Sequence, residues 1–147
     1  MKSTLCATTL GLALLLGACS TKTKNALSSV GLLTSAETAF TPARGVLERN
    51  CVHCHGDNRL STMPPIQSTR GIENLITGGW IVPEKPQVSR FYQVMTLPDT
   101  APGAMPPTGH AVSKEEAQII HDWIKAGARI PSKNTKLVPQ GKPPRSV

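Results

Sequence analysis

The residues with the clearest chemical purpose occupy five consecutive positions, Cys51-Val52-His53-Cys54-His55. Two thiols three positions apart can each reach one vinyl group of the same porphyrin and add to it as thioethers. The next residue then sets an imidazole over the iron. The C-x-x-C-H pattern therefore points to one covalent haem c, with Cys51 and Cys54 as attachment points and His55 as an axial ligand. Two other chemistries use a C-x-x-C pair. A thioredoxin-like dithiol needs a strand before the motif and a helix starting inside it, and the flanking residues suggest neither. A structural zinc site needs four ligands, and no second Cys/His pair at ligand spacing follows. His53 reads as a solvent-facing spacer.

The elements that must position this motif are helical. Thr41-Pro42 reads as a hydroxyl N-cap with proline at the first helical position, and Ala43, Val46, Leu47 and Asn50 follow at helical spacing, predicting a helix over about 42–50. Residues 56–70 read as loop. Ile72, Leu75 and Ile76 between Gly71 and Gly79 predict two helical turns, and Ser89 to Thr96 predicts a short helix with Phe91, Val94 and Met95 inward. Residues 97–112, with four prolines, read as loop. Ser113-Lys114-Glu115-Glu116 is a capping box, Ala117, Ile120 and Ile124 form one stripe joined by Ile119 and Trp123, and Gly127 ends the helix. Nothing reads as a strand, so the expected class is all-α.

Composition and the cysteines bound the rest. The chain has 147 residues, five of them aromatic by count of Trp, Tyr and Phe, and would bury a thin core unaided; a large flat cofactor answers that need. Residues 1–18 have a basic start, an apolar run from Leu10 to Leu16 and small residues before Cys19, as in a secretory signal too short to span a membrane. Leu16-Gly17-Ala18-Cys19 resembles a bacterial lipobox, which predicts lipid on Cys19 and a tethered periplasmic protein; Ser20 favours the outer membrane. Cys6 leaves with the leader, so no cysteine remains for a disulfide. Residues 19–39 read as a flexible tether, 40–130 as the domain, and 131–147 as a basic, proline-rich disordered tail. The formal charge of +7 falls to about +2 over residues 19–130, which hold eleven Lys/Arg against nine Asp/Glu. That balance argues against a nucleic-acid partner.

Residues 40–130 resemble a class I cytochrome c domain of the kind found in bacterial haem lipoproteins. The resemblance rests on the helix entering Cys51-Val52-His53-Cys54-His55-Gly56, on Met105-Pro106-Pro107, and on Ser113 to Ala128 with Trp123-Ile124 near its end. It implies a cytochrome c fold of three to four helices around one haem, the first and last helices crossing at Ala43, Leu47, Ile120 and Trp123. The class often has glycine and an aromatic where this chain has Ala43 and Leu47. It also implies that a proline carbonyl, from Pro64 or Pro65, accepts the outer N–H of His55.

By the same resemblance Met105, in the loop before the last helix, is the second axial ligand. Met63, also followed by two prolines, and His110, in the Met105 loop, are rivals; Met95 and His121 read as helix residues. The resemblance then implies an electron-transfer protein, not an enzyme, docking transiently with redox partners at the haem edge. An open sixth site would instead suit a peroxide enzyme or gas sensor. A haem subunit of a larger dehydrogenase complex is the remaining alternative.

Overall fold

The computed structural model describes residues 26–57, 59, 61–107 and 111–142, with the backbone alone for 26–35. The described residues are all-α: α1 (Ala26–Asn50), α2 (Val52–His55), α3 (Thr69–Thr77), α4 (Arg90–Thr96) and α5 (Lys114–Lys125), with a 3₁₀ turn at Pro86–Val88. Among them there is no strand, only one isolated antiparallel bridge between Ser68 and Lys136.

The first helix departs from expectation. It starts at Ala26 and runs through Pro42, so helix replaces the expected tether over residues 26–39. Thr41 does not act as an N-cap; its hydroxyl donates to the Glu37 carbonyl at 2.8 Å, one turn back. Proline inside a helix removes one N–H bond and normally breaks the run. Here the turn ahead of Pro42 is held by packing. Phe40 is 1% exposed and its ring sits 5.8 Å from that of Trp123 on α5.

α1 crosses α5 through Ala43, Val46 and Leu47 against Ile120, Trp123 and Ile124, all buried. The small Ala43 lets the helices approach, and the aromatic contact comes from Phe40, one turn before Ala43. Arg49 Nε donates to Glu116 Oε1 at 2.9 Å across the same pair. Glu116 also completes the expected capping box, its backbone N–H donating to Ser113 Oγ at 3.1 Å.

Two helices end alike. Gly127 and Ala128 donate to the carbonyls of Ile124 and Trp123, and Gly79 and Trp80 to those of Ile76 and Leu75. Each pair is a Schellman closure with glycine at positive φ, +99° at Gly127 and +75° at Gly79. α3 starts at Thr69, two residues before the expected Gly71, because Ser68 Oγ accepts the Gly71 N–H and caps it. Ser89, ahead of α4, is fully buried and caps nothing: its hydroxyl accepts from Val82 N at 2.9 Å and donates to the Lys85 carbonyl at 2.9 Å.

The C-terminal segment is the largest correction. Residues 131–142, expected to be disordered, are laid along the domain. Leu137 is completely buried in the core. Its N–H donates to the Gln67 carbonyl, and Thr69 N–H donates to the Thr135 carbonyl. Apolar burial of one side chain and a paired backbone account for the order, and neither is visible in a segment without hydrophobic period.

Candidate functional site

The C-x-x-C-H turn continues the end of α1 almost without a break. Cys51 N–H donates to Leu47 O at 2.9 Å, and His55 N–H to Cys51 O at 2.9 Å. One helical turn therefore carries both thiols and the imidazole. Gly56 must follow, because a Cβ there would lie 2.5 Å from the Val52 carbonyl oxygen.

The His55 ring is oriented by the loop that follows. Its Nδ1 lies 2.9 Å from the Pro64 carbonyl oxygen, which can only accept. Nδ1 therefore carries the hydrogen, and the Nε2 lone pair is left for a metal. The same loop is pinned by Ile66 N–H to the His55 carbonyl at 3.0 Å and by Arg59 Nε to the Met63 carbonyl at 3.1 Å. Gly71 lets α3 come up against the Pro65 carbonyl, where any side chain would clash.

Cys51, Cys54, His55 and Met105 all line one cleft of about 270 Å³. Its walls are mostly apolar, with Ile66, Leu75, Phe91, Val94, Met95 and the prolines Pro64, Pro106 and Pro107, and carry Asn50 and Arg90 as polar exceptions. Met105 is held by its N–H to the Val94 carbonyl at 2.9 Å, and its side chain is 37% exposed. Met63 and Met95 line the cleft too. His121 does not: its Nδ1 lies 2.9 Å from Asp122 Oδ1 and its ring packs edge-on against Tyr92. His110, Cys19 and the 1–18 leader lie outside the described residues.

Among the lining residues not singled out from sequence, beside Ile66 and Gly103, are two that bear on the site. Trp80, 45% exposed, is set at the rim by the closure of α3. Arg90 is the one charged side chain in the lining, without an ion pair among the described residues. Its spacing of four from Val94 was the available signal, since it places both on one helix face. His53 needs correction: it is half-buried, not a free spacer, and its Nε2 donates to the Gln140 carbonyl at 2.9 Å.

The electrostatics bear on the competing chemistries. Burial, with the Glu116 carboxylate and Cys54 adding, pushes the Cys51 thiol up to about 12. A redox dithiol needs the opposite shift, toward thiolate at neutral pH. The helix before the motif is equally unlike that setting. Among the described residues no group of three or more His, Cys, Asp and Glu assembles as a metal site. No described helix is long and apolar enough to cross a membrane.

No family model, curated protein or solved structure matches this chain.

Proposed function

We propose that this protein is a single-haem cytochrome c of class I and an electron carrier. The observation that carries the reading is one apolar cleft lined by Cys51, Cys54 and Met105 together with His55, whose Nε2 is left free by its bond to Pro64. These residues fit the group. Cys51 and Cys54 would hold it by thioethers, and His55 Nε2 and Met105 Sδ would bind its iron. The apolar walls would keep water from the metal, and Arg90 at the mouth suits a carboxylate edge. Bound haem supplies reversible one-electron chemistry at iron, at a potential that methionine raises.

The wider setting belongs to the same proposal: export, lipid on Cys19, a periplasmic location with the outer membrane favoured, and transient redox partners at the cleft rim. Docking of that kind is weak and brief. The Met105 loop favours one second reading, a labile sixth site open to a small gas or peroxide, because among the described residues the methionine itself is tied by its N–H to the Val94 carbonyl alone.

The test is spectroscopic. Protein exported by a haem-attaching host is denatured and extracted with acidified organic solvent; haem should stay on the polypeptide. The ferric protein should show the weak red charge-transfer band of a methionine–iron bond. Free extraction of haem would sink the proposal. Ready binding of carbon monoxide by the reduced wild type would move the reading to the labile-site alternative.

A further inference from the structure

The segment after α5 makes an unusual set of contacts for a tail. One set of its bonds goes to the start of α3 and to the loop before it. Leu137 N–H donates to Gln67 O, Thr69 N–H to Thr135 O, and Arg70 N–H to Asn134 Oδ1. A second set, interleaved with the first, goes to the attachment turn and the end of α1. Lys136 Nζ meets Asp57 Oδ2 at 2.7 Å, and His53 Nε2 donates to the Gln140 carbonyl.

Glu48 is the keystone. Its carboxylate is 4% exposed by residue and accepts from Arg44 Nε at 2.9 Å, Val138 N at 3.1 Å and Gln140 Nε2 at 2.6 Å. Its backbone carbonyl accepts the Gln140 N–H at 2.9 Å. A buried carboxylate is tolerable only when its oxygens are satisfied in this way, and two of the donors come from the tail. Gln140 passes the constraint on, since its own carbonyl takes the proton of His53 in the middle of the motif.

The two sets of bonds thus grip the two partners of one hydrogen bond. One set holds the turn that carries His55. The other holds the loop that carries Pro64, whose carbonyl orients His55. We propose that residues 133–140 form a strap that positions the axial imidazole, with Glu48 and Gln140 as positioning residues. This rests on the haem reading above. None of these residues lines the cleft, so the strap acts from behind the ligand.

The holoprotein with its covalent haem is compared with a chain stopped after Ser132, with Glu48→Gln, with Gln140→Ala, and with Lys142→Ala as a control at an exposed position that makes none of these bonds. The readouts are the reduction potential and the low-spin ferric electron paramagnetic resonance signal, which reports the imidazole plane. The truncation should broaden that signal and raise the potential, because a histidine that loses its carbonyl partner is a weaker donor to ferric iron. Gln140→Ala and Glu48→Gln should shift both the same way by less, and Lys142→Ala by nothing. If the truncated chain fails to fold, the two point variants carry the test alone. Unchanged potential and signal in every folded variant, with only the melting temperature lowered, would overturn the proposal and leave a purely stabilising tail. Absence of covalent haem in the wild type would overturn the haem reading itself, and with it the strap's role.

Discussion

The two sides of the cleft are built to different standards. On the His55 side a helical turn, a pinned loop, a tight glycine approach at Gly71 and the C-terminal strap all converge on one imidazole. On the Met105 side a loop between α4 and α5 presents one thioether, its backbone tied to Val94. On the proposed haem reading, the stronger ligand thus sits in an over-determined setting and the weaker one in a spare setting. The lesson is that the two ligands should fail separately, and under different insults.

The sharpest contrast should come from the two ligands themselves. His55→Ala should remove low-spin haem protein almost entirely, whereas Met105→Ala should keep the fold and covalent haem, lower the potential, abolish the red band and admit carbon monoxide. Spectra of the two purified variants decide it; equal collapse of both would erase the contrast.

Next in size is the strap's apolar anchor. Leu137 is fully buried, so Leu137→Ala should cost about 2–5 kcal/mol by urea unfolding. A cost of a few tenths would mean that the strap only lies on the surface.

The thiols of the haem-free chain offer a pH test. Burial holds the Cys51 thiol from its usual 9.0 up to about 12. The unfolded chain loses that proton first, so the protonated thiol's contribution is intact below pH 9.0 and drains away toward pH 12. Urea midpoints should therefore fall above pH 9.0 in the haem-free wild type and fall less in Cys51→Ser. Parallel declines would place Cys51 in a wetter setting than its packing indicates.

The smallest effect should be at the surface. Lys136 and Asp57 are both well exposed, and Lys136→Ala should change stability by about 0–1 kcal/mol, less in high salt. A larger loss would make the strap depend on charge and not on Glu48 and Leu137.

Much of this arrangement was legible in the residues, and the boundary has physical causes. The capping box at Ser113, the apolar stripe of α5 and its stop at Gly127 are local signals, and they hold as read. The carbonyl partner of His55 was expected from Pro64 or Pro65, and it is Pro64. What failed was non-local. Thr41-Pro42 carries a start signal, but the burial of Phe40 on Trp123 outweighs one missing hydrogen bond. The tail shows no period because one leucine and a run of backbone bonds suffice to hold it. His53 looks like a spacer until Gln140, 87 positions later, arrives beside it.

The closure of α3 leaves one further consequence. Trp80 has its N–H committed to Leu75 and its carbonyl to Phe91, so its backbone is locked while its indole stands half in solvent at the cleft rim. That makes it a built-in optical gauge. Its emission should be red-shifted in the haem-free chain beside the bluer emission of Trp123, sealed between α1 and α5, and on the haem reading a porphyrin in the cleft would quench both. Loading of the cleft can then be followed by light alone, in a mixture, without labelling the protein.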